Sequence, residues 1–371
     1  MSTMPKPPLH LRGTILPTDV ETDVFISAAG TISFTPIDGA TTLGERLFLL
    51  PGLTDMHNHL QIHSPLKEGS PAEMAEASAR LELEAGVLAL REPGGPTRDS
   101  HGLGPHKGLP RVVTAGRFLH PPGGYIPGLG REVVPADFVT AAMDELHHSD
   151  NWVKLVIDFA DGEVLRLNFT AEQLAAVVTS VHDAGGRVAV HVTQEAGIAM
   201  ALDAGVDSIE HGQGMTEKLV GRMAEQGAAW VPTMLILPVI LPFVSSSISD
   251  HNCLHRLSQS IDDHPRLVRI AAQAGVRLLA GTDAGMVPHG LIAQEIRALM
   301  NAGVDPVTAI AAGSWDGRNY LGLPGIEEGA PADVTGYVRD PREDPSVLEK
   351  PEVIVLDGTP VRVAATLPGA L

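Results

Sequence analysis

A single cysteine, Cys253, stands among 371 residues. No intrachain disulfide is possible, and a zinc site built on thiolates is excluded. Positive charge is also scarce: 26 Lys and Arg face 45 Asp and Glu, a formal net charge of −19. Nucleic acid and anionic membrane surfaces would both repel such a chain. The longest apolar run, WVPTMLILPVILPFV at 230–244, is interrupted by Pro232, Pro238 and Pro242 and is too short to span a bilayer. MSTMPKPPLHLRG at the start lacks the apolar core of a signal peptide. What is present is 44% apolar residues, enough for a large core. The expectation is a cytoplasmic enzyme acting on a small molecule, with no nucleic-acid or membrane partner and a homo-oligomer as the default assembly.

Both ends of the chain are rich in β-branched residues punctuated by Gly, Pro and Asp. HLRGTIL and TDVFISAAGTISFT come before residue 50, and DVTGYVR and PEVIVLDGTPVRV after residue 330. Between them the pattern becomes apolar strand, loop and amphipathic helix, repeated. Eight strand-like segments follow one another: RLFLLPGLTDMH, AGVLALRE, RVVTAG, WVKLVID, RVAVHV, DSIEH, AAWVPTM and VRLLAGTD. Helical spacing fills most of the intervals, as at 72–86 and 170–186, the latter with Thr170 as N-cap and Gly185 as stop. Eight such units predict an α/β fold, a (β/α)8 TIM barrel over 51–324, with 1–50 and 325–371 joining in a small β-sandwich. The competing pattern, a doubly wound open sheet, usually shows a Gly-rich phosphate loop after its first strand, and none stands there.

The segment PGLTDMHNHL carries His57 and His59, which share a face because strand side chains alternate. Alone this pair says little in a chain with 16 histidines. In a barrel, however, chemistry gathers where strands end. Lys154 interrupts the apolar fourth strand, His191 ends the fifth, His211 the sixth, and Asp283 the eighth. Imidazole and carboxylate ligands suit Zn²⁺, and a catalytic zinc keeps a position open for water. A lysine cation binds no metal, but a neutral lysine can take up CO₂ and become a carbamate able to bridge two ions. Two cations sharing a hydroxide would lower its pKa and polarise a carbonyl at once. Asp283 would bind one ion and carry the proton from the attacking water to the leaving nitrogen.

PGLTDMHNH, the strand-four lysine, VAVHV, SIEHG and GTDAG, in this order and over nearly the whole chain, resemble the amidohydrolase superfamily. The phrases AGVDSIEHG, WVPT and GTDAG are similar to its Xaa-Pro dipeptidase and imidazolonepropionase-like branch. The resemblance implies two zinc ions: His57, His59 and Asp283 on the first, His191 and His211 on the second, and carboxylated Lys154 bridging them. It implies hydrolysis of a C–N bond in an N-acyl amino acid, dipeptide or cyclic amide. One departure stands out. Dipeptidase-like members tend to have Gly-Gly-His after the third strand, and PPGGYIPG puts Tyr125 in the histidine's place. A phenol there can still donate to a developing oxyanion.

Two further chemistries fit the same ligands. A mononuclear deaminase or lactam hydrolase would leave Lys154 uncarboxylated, although the Glu of His-x-x-Glu arrives one position late, at Glu195 in HVTQE. An esterase, lactonase or organophosphate hydrolase would use the same nucleophile. A catalytically silent binding protein would have lost ligands, and none is missing. Substrate contacts are expected from Tyr125, His120, His289 and Arg91, with Arg117 and Arg131 as scattered partners for a free carboxylate. Asp55 is expected to support the ligands rather than bind metal, and the apolar run at 234–244 to line a hydrophobic pocket.

Overall fold

The protein is described from a computed structural model covering residues 6–160, 164–246 and 248–364. The terminal stretches 1–5 and 365–371 of the expected sandwich segments lie outside the described residues.

Parallel strands and helices make up the central region. Strands Leu53–Asp55, Val87–Glu92 and Arg111–Thr114 form one parallel sheet. A second sheet runs in the order Arg277–Leu278, Ala229–Val231, Ser208–His211, Arg187–Val192, Trp152–Val156, Leu119–His120, Arg131–Glu132, again with every pairing parallel. Strand pairing therefore gives two parallel sheets rather than one closed ring of eight. They approach where Asp150 N–H donates to Thr114 at 2.9 Å, and along a seam where Met56 N–H donates to Ala280 at 2.9 Å, Asp283 N–H to His57 at 2.8 Å and His59 N–H to Ala284 at 2.8 Å. The seam joins the first expected strand to the last.

The chain ends meet in one seven-stranded sheet of mixed direction, in which Val334–Tyr337 pairs with Thr41–Leu50 and the latter with Leu9–Ile15. Hydrogen bonding makes a single sheet where a two-layer sandwich was expected. Its own apolar cluster includes Leu11, Val24, Leu47, Val334 and Val353. A buried Asp333 ties the sheet's last part to the central region, accepting from Arg111 Nε at 2.7 Å and from Arg318 at 3.0 Å.

RLFLLPGLTDMH, read as one strand, is two. Thr41–Leu50 belongs to the terminal sheet and Leu53–Asp55 to the parallel one, with Gly52 turning between them at φ 87°. A side chain there would also strike Leu88 at about 2.6 Å, so only glycine fits the corner. Helix Ala171–Asp183 begins at Thr170, whose hydroxyl accepts from Gln173 N–H while Gln173 returns the bond. Leu174, Val177, Val178 and Val181 are its buried residues, at the three- and four-residue spacing that makes one apolar stripe. They join the continuous core that also holds Val190, Ile209 and Leu278. Each such side chain contributes roughly 1.5–3 kcal/mol when fully buried. This core fixes the strand ends on which the polar residues sit.

Candidate metal centre

Five polar strand-end residues and one strand lysine converge. His57 Nε2 and His59 Nε2 lie 3.2 Å apart, and Asp283 Oδ1 is 3.5 Å from the first and 3.3 Å from the second. His57, His211 and Asp283 place one ligand atom each within 4.8 Å of one another. The His211 ring centroid is 4.8 Å from that of His57 and 4.6 Å from that of His191. Imidazole nitrogens this close, with a carboxylate oxygen between them, suit a shared cation better than any mutual hydrogen bond.

The opposite ring nitrogens are taken. His57 Nδ1–H donates to Glu210 at 2.7 Å, His59 Nδ1–H to the Gly94 carbonyl at 2.8 Å, and His211 Nδ1 meets Thr233 Oγ1 at 2.9 Å. Each bond fixes ring orientation and leaves Nε2 turned inward. Burial first, and nearby positive charge second, hold His57 and His211 well below the usual imidazole range and bring His191 down to about 3. Neutral imidazole is the metal-binding form.

Lys154 is 2% exposed and its Nζ has no hydrogen-bond partner among the described residues. Burial, together with the Arg91 charge, lowers its pKa to about 8 against the pull of Glu210 and Asp283. A lone buried ammonium is costly. An amine that is partly neutral near pH 8 has the electron pair that CO₂ requires.

Backbone strain marks the same place. His211 has φ 66°, Asp283 φ 57° and the β-branched Thr233 φ 46°, all in the left-handed region. Such conformations cost about 1–3 kcal/mol each and persist where the surroundings impose them. The kink at His211 has a consequence. Glu210 and His211 are consecutive, so a regular strand would send them to opposite faces, yet both reach the His57 imidazole.

Glu210 is the residue that sequence reasoning missed. Fully buried, it accepts from His57, from Arg91 at 2.6 Å and from the Ser208 hydroxyl at 2.5 Å. Burial pushes its pKa up, but the Arg91 and Lys154 charges outweigh this and hold it below the ordinary carboxylate value. The one sequence signal was an acidic residue inside SIEH, next to a candidate ligand.

Arg91 is thereby committed: it pairs with Glu210, donates to the Met56 carbonyl at 2.9 Å and lies 4.7 Å from the Trp152 ring centroid. Arg117 and Arg131 are likewise engaged, both with Glu145 at 2.9 Å. None of these guanidiniums lines the pocket in front of the histidines. His289 is turned toward Glu82 at 3.1 Å and the Ile62 carbonyl at 3.3 Å, and His120 toward the Pro121 and Leu129 carbonyls at 3.0 and 2.9 Å. Neither lines the pocket in front of the histidines. Asp55 accepts from His57 N–H, Asn58 and both donors of Thr282, which welds the seam beneath the ligands. Glu195 is exposed at the start of helix Glu195–Ala204 and also stands outside that pocket.

Tyr125 does face it. Its ring centroid lies 5.6 Å from His191 and 5.0 Å from Phe159, and burial, with Asp283 adding to it, pushes the phenol pKa up. The hydroxyl therefore keeps its proton. Ile236, Ile240, Phe243 and Val244, from the apolar run at 234–244, line the same pocket with Met286, while His191, His211 and Asp283 form its polar end. Glu295 pins that run by accepting from the Met234 and Leu235 N–H groups at 2.8 and 3.0 Å. No helix among the described residues is long and apolar enough to cross a membrane.

An α/β fold of parallel sheets with a His/Asp cluster at its strand ends defines a candidate metal-dependent hydrolase class. The amidohydrolase family pattern matches residues 48–359, and the chain belongs to that family, hydrolases that cleave amide-type C–N bonds. It is 37% identical over 358 residues to an uncharacterized protein of Mycobacterium tuberculosis, covering 94% of this chain and 95% of that one. Ochratoxinase of Aspergillus niger is 29% identical over 192 residues, 50% of this chain and 39% of the relative. The crystal structure of that ochratoxinase superposes with a TM-score of 0.78 at 20% identity, covering 98% of each chain. A Xaa-Pro dipeptidase with bound methionine gives 0.80 at 23% identity, over 96% of this chain and 100% of the other. At these identities the two superpositions speak for the fold.

Proposed function

We propose that the protein hydrolyses an amide bond of a small molecule, an N-acyl amino acid, dipeptide or cyclic amide with a bulky apolar part, at a centre of two zinc ions. The observation that carries this reading is the unpartnered Lys154 Nζ buried among His57, His59, His191, His211 and Asp283. An uncarboxylated lysine in a one-metal site would be expected to have a counter-ion in contact, and Lys154 has none among the described residues.

The donor set fits the implied metals. His57, His59 and Asp283 would hold one ion, His191 and His211 the other, and a carbamate on Lys154 would bridge them. When bound, the two ions supply an acidified water and a Lewis acid for the scissile carbonyl. The rest falls to the chain. Asp283 accepts the proton of the attacking water and returns it to the leaving nitrogen. Tyr125, protonated and beside His191, donates to the oxygen on which negative charge develops. Glu210 holds the His57 tautomer, and the wall of Ile236, Ile240 and Phe243 excludes water, which strengthens each of these interactions. This reading takes the two parallel sheets as arcs of one barrel, supported by the hydrogen bonds from 56–59 to 280–284.

Metal analysis and amide turnover together test the proposal. Protein purified without added metal should carry close to two zinc ions per chain, lose activity to a chelator and regain it with zinc. Intact-mass measurement under CO₂ should find a carbamate's mass on wild type and not on Lys154→Met. Full turnover with less than one metal per chain would sink the two-zinc reading, and turnover of esters or phosphotriesters but no amide would move the reaction class.

A further inference from the structure

Directly after His211 the chain reads Gly-Gln-Gly, and both glycines are required. A side chain at Gly212, which has φ 69°, would meet Trp230 Nε1 at 2.8 Å, and one at Gly214 would meet the Glu195 nitrogen at 2.4 Å. Gly212 N–H donates to the Val192 carbonyl at 3.0 Å and Gly214 N–H to the Thr193 carbonyl at 2.8 Å. The backbone on either side of Gln213 is thus pinned to the end of strand Arg187–Val192. Gln213 lines the pocket that holds Tyr125, His191, His211 and Asp283. It is 1% exposed, and neither its Oε1 nor its Nε2 has a hydrogen-bond partner among the described residues.

A buried carboxamide with donor and acceptor both unmet is destabilising, and the pinned backbone holds its point of attachment at this wall. Among the described residues, Asp158 and Asp283 are the carboxylates lining the pocket, no Arg or Lys does so, and most of the remaining wall is apolar. Beside Gln213, away from the residues that would hold the ions, a carboxylate ligand would lose its hydration without gaining a guanidinium or ammonium partner. A neutral amide would gain both a donor and an acceptor.

We propose that Gln213 is the specificity-determining residue of the site, pairing with a neutral donor–acceptor group beside the scissile bond, so that capped amides are taken in preference to free carboxylic acids. This rests on the amide-hydrolase reading above and narrows its substrate class. A site built to hydrogen-bond a polar group rejects the analogue that cannot answer it, here by roughly 10- to 100-fold.

Zinc-loaded protein and the matched pair N-benzoylphenylalaninamide and N-benzoylphenylalanine test this. The ratio of kcat/KM is read where benzoate is released, and the ratio of Kd by equilibrium dialysis where it is not. Wild type should favour the amide at least tenfold. Gln213→Met, of similar length but without the donor–acceptor pair, should bring the ratio below threefold with zinc content unchanged. Gln213→Glu, which keeps the shape and removes both N–H donors, should weaken the amide likewise, and serves where the Met variant does not fold. Equal handling of the two compounds by wild type (absence of binding by both included), preference for the acid, an unchanged ratio in Gln213→Met, or unchanged handling of the amide by Gln213→Glu overturns the assignment. Absence of cleavage with a Kd ratio of ten or more would instead count against amide hydrolysis and leave Gln213 in its role.

Discussion

Two clusters of buried charge can be set side by side. Around Glu145, whose side chain is fully buried, every facing group is engaged: Arg98 binds it through Nε and a terminal nitrogen at 2.9 Å, Arg117 through its backbone and guanidinium, and Arg131 at 2.9 Å. Around Asp283, histidines and a lysine converge, the His57 and His59 Nε2 atoms lying 3.5 and 3.3 Å from its Oδ1, while Lys154 Nζ and Gln213 have no hydrogen-bond partner among the described residues. The first cluster is closed; the second is complete only with something added. Between these two clusters, unmet polar atoms rather than burial or charge make the difference.

The largest break in that comparison should come from Asp283→Asn. It should lower kcat about 10²- to 10⁴-fold, as expected for loss of a proton carrier. The melting temperature should hold or rise, since a strained, functional position is not kept for stability. Steady-state kinetics and calorimetry on one preparation check both halves. Next, Tyr125→Phe should cost roughly 100-fold in kcat with little change in KM if the phenol acts on developing charge. A change confined to KM would make it a binding residue.

Glu210 bridges the two categories. Glu210→Gln should weaken zinc binding about 10- to 100-fold through the freed His57. It should also destabilise the fold, because Arg91 is then left buried without a counter-ion, a loss of about 3 kcal/mol at least. Competitive metal titration and denaturant unfolding separate these effects.

Smallest for catalysis, and a test of the closed cluster, is Glu145→Gln. Activity should change less than twofold while stability falls by about 3 kcal/mol, the low end for a broken buried pair because its arginines keep access to water. The pH dependence has a definite sign. Burial raises the Glu145 pKa, but hydrogen bonds from Arg98, Arg117 and Arg131 outweigh it and leave the folded value below 4.5. Its contribution is therefore present at neutral pH and lost as pH falls below about 4.5, through the folded value. The gap in unfolding free energy between wild type and Glu145→Gln should narrow over that range; an equal gap at pH 7 and pH 3 would remove Glu145 from the account.

Much of this was legible from residue order. Strand periodicity placed Lys154, His191, His211 and Asp283 at or near strand ends because side-chain alternation and strand length are local properties. Helix Ala171–Asp183 was readable for the same reason: Thr170 and Gln173 cap it within one turn. Glu210 was not, because its role depends on Arg91, which is 119 positions away, and on a left-handed turn at His211 that no local pattern announces. Arg117 and Arg131 were open candidates for a substrate carboxylate until Glu145 was found between them. His289 likewise pairs with Glu82, 207 positions earlier.

Sequence alone therefore determined which strands carry ligand-type residues, that thiolates play no part, and that Gly212 and Gly214 flank a polar side chain. Tertiary structure decided which of those residues are spent on each other and which remain unmet. Periodicity is a property of neighbours along the chain, whereas hydrogen-bond completion depends on groups brought together from far apart. The unmet atoms of Lys154 and Gln213 exist as a fact only once the strands have packed.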